Sequence, residues 1–147
     1  MSTYALGAFT VHRVGFGAMQ LPGPGVFGPP RDHDEAIAVL RRAVELGVDH
    51  VDTAQFYGPD VANELIREAL HPYPDNLALV SKVGGRRDDT GAWLPLESPA
   101  ELRADIERNL QARPEEAIEQ AGALVGRIAE SILAAPDLAI HVMGDKM

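Results

Sequence analysis

No cysteine occurs among the 147 residues. Its absence excludes disulfides, thiolate metal sites and a cysteine nucleophile, and it leaves the compartment open. Basic residues are scarce: 13 Lys and Arg stand against 22 Asp and Glu, for a net charge of -9. A nucleic-acid or anionic-membrane surface needs clustered Lys and Arg, so neither partner is expected. Long apolar runs are also missing. The most apolar stretch, residues 117–135, is broken by Arg127, Glu130 and Ser131 and does not read as a membrane span. No basic segment precedes an apolar one in MSTYALGAF, so no signal peptide is expected and the cytoplasm is the default location. Aromatics are few, and all four Phe, three Tyr and the single Trp lie at or before Trp93.

What is present reads as a globular chain, with 46% hydrophobic and 24% charged residues. The length suffices for one domain with a core. Residues 4–6 and 9–11 flank Gly7-Ala8 and predict a small β-hairpin. VGFGAMQL, residues 14–21, predicts a buried strand with two glycines, followed by the Pro/Gly-rich loop PGPGVFGPP. Asp32 starts a helix with Glu35 as capping-box partner; Ala36, Ile37, Leu40, Ala43 and Val44 form its apolar stripe, and Gly47 suits its end. Residues 48–53 predict a second strand. A second helix opens at Pro59 and buries Val61, Ala62, Leu65, Ile66, Ala69 and Leu70. LALVSKV, residues 77–83, is the third strand, and a polar, Gly-containing loop runs to Glu97. Ser98-Pro99-Ala100-Glu101 is a strong helix start, with Leu102, Ile106 and Leu110 following on one face.

The order is βαβαβα, the grammar of a parallel sheet with right-handed crossovers. It breaks after Leu110, where a fourth strand is due. A helix restarts at Pro114 and runs to Pro136, and only residues 137–143 offer another short strand. This predicts two parts, residues 1–110 and a divergent helical tail over 111–147.

Strand side chains alternate between faces. His50 and Asp52 share one face of the second strand; Ala78, Val80 and Lys82 share one face of the third. Asp52 and Lys82 both stand at the C-terminal ends of their strands, the face where barrel enzymes do chemistry. An unpaired buried ammonium is expensive, so Asp52 is the natural partner of Lys82 if the strands are neighbours. Tyr57 lies just beyond, where it can lean over the same opening. A cation beside a phenol favours phenolate, so the three side chains form a sensible proton-donating unit. The residues alone leave a plainer reading open: a strand-end cap, a core aromatic and a snorkelling lysine.

GVDHVDTAQFYG, then ELIREAL, then LALVSKVG, in that order, resembles the N-terminal half of the aldo-keto reductases. VGFGAMQL is similar to that family's first barrel strand, and the hairpin before it to the plug at the barrel bottom. The resemblance spans residues 4–110. It implies an α/β fold, a partial (β/α)8 TIM barrel made of the hairpin and three βα units, with a divergent C-terminal helix and short strand. It also implies NADPH-dependent reduction of a small aldehyde or ketone. Asp52, Tyr57 and Lys82 take the family's catalytic positions, with hydride from the cofactor and a proton from Tyr57. Ala18, Met19 and Asp52 take cofactor positions.

A complete barrel typically needs about 250 residues, so the resemblance implies a truncated protein. A homo-oligomer is one way to cover its open edges. The family's fourth catalytic residue is a histidine ending strand four. His141 follows a short apolar run, but its spacing differs by one residue, which turns a strand side chain to the other face. His50 reads as packing, and His12, His33 and His71 as surface or loop residues. No metal site is expected, since residues 32–35 fit the charge preference of a helix N-terminus. Arg86-Arg87 with Asp88-Asp89 reads as a solvated loop, or Arg86 as a phosphate or substrate holder. Trp93 reads as a pocket wall or a loop anchor. Two other functions stay open: a non-catalytic remnant or interaction module keeping these residues by descent, and an enzyme using Lys82 as a Schiff-base amine.

Overall fold

The structure is a computed structural model that describes residues 2–7, 9–95 and 98–111. The helix expected over 114–136, the strand over 137–143 and His141 lie outside the described residues. The hairpin forms as expected: β1 (Thr3–Leu6) pairs antiparallel with β2 (Phe9–His12). Three parallel strands follow, β3 (Phe16–Gly17), β4 (His50–Asp52) and β5 (Ala78–Val80), in the order β3-β4-β5. Helices α1 (His33–Glu45), α2 (Val61–Leu70) and α3 (Pro99–Gln111) come after the respective strands.

Helix α1 carries its own start and stop. The Asp32 side chain accepts from the Glu35 N–H at 3.0 Å, satisfying one of the helix's orphan donors. At the other end Gly47 N–H donates to Val44 O and Val48 N–H to Ala43 O, at 2.9 and 3.1 Å. That pair of bonds is a Schellman motif, and Gly47, with φ of 93°, occupies the left-handed position it requires. The helix buries Ala36, Ile37 and Leu40 against α2, which turns in Ala62, Leu65, Ile66 and Leu70; Val51 of the central strand lies beneath. Asp32→Ala removes the cap and is expected to cost about 1 kcal/mol of unfolding free energy, read as a lower urea midpoint with unchanged slope.

Four expectations need correction. The first barrel strand is two residues rather than eight. Val14 stands 73% exposed, and the chain turns into a 3₁₀ segment at Ala18–Gln20. Helix α2 begins at Val61 rather than Pro59, because Asp60 N–H donates back to Gln55 O at 2.7 Å and holds Asp60 left-handed at φ of 63°. The segment before α3 contains a hairpin, β6 (Gly85–Arg87) antiparallel to β7 (Trp93–Pro95). Arg87 is accordingly not a solvated loop residue. Its guanidinium stacks 3.7 Å over the Trp93 ring and donates to the carbonyls of Gly25 and Val26, tying the hairpin to the β3–α1 loop. No described helix is long and apolar enough to cross a membrane.

Candidate active site

The parallel register sets Asp52 opposite Gly17 on one side and Val80 on the other. Lys82, two residues beyond Val80, therefore falls on the Asp52 face. Its ammonium donates to both Asp52 carboxylate oxygens at 2.7 Å and to the Thr53 carbonyl at 3.2 Å. Burial works against the charged ammonium, but the hydrogen bonds to Asp52 and Tyr57 outweigh it and hold Lys82 above its ordinary pKa. An amine kept protonated in this way is a poor imine former, which disfavours the Schiff-base reading.

Tyr57 is delivered by the loop between β4 and α2. Its ring is 6% exposed and meets Phe56 edge-on at 5.4 Å, while Lys82 Nζ lies 5.1 Å from the ring centroid. The next residue, Gly58, ties this loop down. It donates to Val26 O at 3.2 Å and accepts from Gly28 N–H at 2.9 Å. Its φ of 105° is a glycine conformation, and an added Cβ would sit 2.4 Å from Val61 Cβ. Phe56 in turn packs on Trp93 at 5.3 Å, so Trp93 anchors the wall behind Tyr57.

The three expected catalytic residues are thus brought together. Of the three cofactor positions, Asp52 lies in the ion pair, and the other two differ from one another. Met19 is 40% exposed beside the strand ends, whereas Ala18 is fully buried in the core and offers only backbone. Asp52 and Lys82 side chains are 48% and 42% exposed, so the ion pair stands at an open mouth. Beside Asp52 on the neighbouring strand, a Cβ added to Gly17 would meet nothing within 4 Å, which leaves room for a planar group at that edge.

At the opposite end of the sheet, Asp49 takes the role of a latch. Its buried carboxylate accepts the His12 backbone N–H at 3.0 and 3.1 Å and meets His12 Nδ1 at 2.7 Å, fastening the hairpin to β4. Burial tends to raise this carboxyl, but the bonds from His12 and His50 outweigh it and hold Asp49 below its ordinary pKa. His12 is therefore half-buried and structural. His50 packs as expected, edge-on against Tyr4 at 6.2 Å. Arg86 pairs with Glu101 at 3.2 Å.

A second polar group was not legible in the sequence. Thr53, Asn63, Ser81 and Asn109 lie on the outer side of the β4 and β5 ends, linked by hydrogen bonds. Buried Asp105 joins them through its backbone carbonyl, which accepts from Asn109 at 2.9 Å.

The model of the aldo/keto reductase family matches residues 13–118. A pyridoxine 4-dehydrogenase of Escherichia coli (strain K12) is 57% identical over 110 residues, covering 75% of this chain and 38% of that protein. An uncharacterised oxidoreductase of Schizosaccharomyces pombe is 40% identical over 104 residues, covering 71% of this chain and 34% of that protein. Among solved structures, an aldo-keto reductase of Bacillus halodurans in its holo form matches with a TM-score of 0.61 at 26% identity, over 76% of this chain and 36% of that one. One from Pseudomonas aeruginosa matches with a TM-score of 0.62 at 29% identity, over 75% and 42%. The hairpin and three βα units correspond to part of the barrel of those proteins, and the chain spans just over a third of the curated relatives' length.

Proposed function

The chain belongs to the aldo/keto reductase family, and from that premise we propose that it carries the proton-donating side of an NADPH-dependent carbonyl reductase. The observation that carries this reading is the Asp52–Lys82 ion pair at 2.7 Å, set beneath Tyr57 at the C-terminal strand ends. A bound reduced nicotinamide would supply hydride to the carbonyl carbon. Met19, the backbone at Ala18 and the open edge beside Gly17 and Asp52 are the described residues that would hold its ring.

The remaining steps belong to this chain's side chains. Tyr57 places its hydroxyl over the opening and donates its proton to the carbonyl oxygen as negative charge develops there. Lys82 stays an ammonium because Asp52 accepts from it twice, and it stabilises the phenolate that Tyr57 becomes. Asp52 fixes the lysine's position. The Phe56–Trp93 wall keeps the Tyr57 ring from swinging away.

The relative named pyridoxine 4-dehydrogenase makes pyridoxine, and the aldehyde its dehydrogenation gives, the first substrate couple to test. A cytoplasmic location and a homo-oligomer complete the reading. The test is a fluorescence titration with NADPH, and NADH beside it, on protein of measured oligomeric state. Saturable binding with NADPH preferred is the expected result. No binding of either nucleotide would overturn the reading and favour a non-catalytic interaction module.

A further inference from the structure

The ion pair joins residues on two strands, yet each strand ends at that point. Nothing in a β-ladder alone fixes how far the tips of β4 and β5 splay beyond the last paired residues. The last ladder bond here is Thr53 N–H to Val80 O at 2.8 Å. Lys82 reaches Asp52 from two residues past it. A splay of 1 Å at the tips would turn both 2.7 Å contacts into long ones.

Alternation places the immediate chain neighbours of the pair, Thr53 and Ser81, on the sheet's other face. Both are hydroxyl residues, and both are used. Thr53 Oγ1 donates to Asn63 Oδ1 at 2.9 Å. Asn63 Nδ2 donates to Asn109 Oδ1 at 3.5 Å, and Ser81 Oγ donates to the same oxygen. Asn109 Nδ2 is itself held by the Asp105 carbonyl at 2.9 Å. The chain of bonds runs from the tip of β4 through α2 and α3 to the tip of β5. Thr53 and Asn63 are buried, at 5% and 9% exposure, so the link between them is shielded from competing water, while the links to Asn109 are half-buried. The same four residues border a cavity of about 20 Å³, the room of a single water. The Thr53 backbone carbonyl also accepts from Lys82 Nζ, so the residue that anchors the outer chain touches the ion pair directly.

We propose that Thr53, Asn63, Ser81 and Asn109 are positioning residues that clamp the ends of β4 and β5 from behind and so set the Asp52–Lys82 contact. The clamp does not touch substrate. Its action is to hold Lys82 within reach of Asp52 and under Tyr57. It rests on the reading of that ion pair as the reacting site, and its test reads the lysine itself rather than turnover.

The chain has only two lysines, Lys82 and Lys146. Protein labelled with ¹³C and ¹⁵N in lysine therefore gives two side-chain signals, and Lys82→Arg assigns them. Loss of a clamp bond loosens the pair while burial of the ammonium persists, so the Lys82 titration must move to lower pH. Thr53→Val and Asn109→Ala are expected to show this downward shift. Thr53→Ser, which keeps the hydroxyl, is expected to titrate with the parent. Ser81→Ala, at a half-buried position, gives the same reading if the buried variants fail to fold, with melting curves recorded for each. Folded variants in which Lys82 titrates as in the parent would overturn the clamp. So would a Thr53→Ser protein that shifts as far as Thr53→Val. Asp52→Asn separates the two levels. It must lower the Lys82 titration whatever the clamp does, and if it does not, the ion pair itself is wrong and the clamp falls with it.

Discussion

Tyr57→Phe is expected to lower carbonyl reduction by about 10²–10⁴-fold, the range for loss of a positioned general acid, while NADPH affinity stays unchanged. The substitution removes one oxygen and leaves the ring. That ring is 6% exposed, meets Phe56 edge-on at 5.4 Å and lies 5.1 Å from the Lys82 ammonium. These ring contacts do not need the hydroxyl, so the fold persists, and the two bonds from Lys82 to Asp52 keep the pair although the Tyr57 hydroxyl's own interaction with Lys82 is lost. The main loss is the proton delivered as charge builds on the carbonyl oxygen. The loss should appear in kcat and kcat/KM together, the signature of an interaction made in the transition state. Measured under single-turnover conditions in protein that binds the cofactor, undiminished reduction by the phenylalanine variant would remove Tyr57 from the proposed role. A raised KM at constant kcat would make it a binding residue instead.

The pieces that were legible in the sequence share a property: their partners lie close in the chain or follow from strand period. Asp32 and Glu35 are three residues apart, and the Gly47 stop is set by the four residues before it. Asp52 and Lys82 are 30 residues apart, yet adjacent parallel strands and a period of two bring them to one face. Tyr57 was placed by its short loop after β4. The clamp was not legible because Asn63 and Asn109 sit on helices, where a polar residue ordinarily marks the solvent face. Only the packing of α2 and α3 over the strand tips buries Asn63 and half-buries Asn109. Asp49 hides for the same reason, since its partner His12 is 37 residues away on the hairpin.

The β6–β7 hairpin is a different kind of miss. Its turn signal was present: Asp88 accepts from the N–H groups of Thr90 and Ala92 at 2.9 Å each, and Gly91 follows at φ of 83°. The flanking segments, Gly85–Arg87 and Trp93–Pro95, are three residues each, too short to show a strand period, and the first is polar besides. Likewise a single half-buried Phe16 between exposed neighbours cannot announce a two-residue strand. Short elements that depend on docking, here Arg87 on Trp93 and on the β3–α1 loop, are where local pattern loses its hold.

Asp105→Asn is expected to stabilise the folded protein at pH 7 by about 1–3 kcal/mol. Asp105 on α3 is 8% exposed. Burial pushes its carboxyl up to about 6, and Asp60 adds to this, while the Gly84 N–H at 3.4 Å and Arg108 only partly offset it. The folded state therefore holds this proton more tightly than the unfolded chain, whose ordinary value is 3.8. Stability linked to Asp105 is full below pH 4 and falls as pH rises through about 6, because the folded protein must then carry a buried charge. The interval between 3.8 and about 6 corresponds to about 3 kcal/mol as an upper figure. Asparagine keeps an oxygen for the Gly84 N–H and never ionises. Asp49, held low by His12, has the opposite sign: its contribution is present above about pH 4 and is lost as pH falls further. Because both proteins contain Asp49, the difference between them isolates Asp105. Urea unfolding at pH 4 and pH 7 should give a small difference at the lower pH and a gain for the asparagine variant at the higher one. A difference that does not change with pH would show that Asp105 does not titrate in this range and that its burial costs the fold nothing.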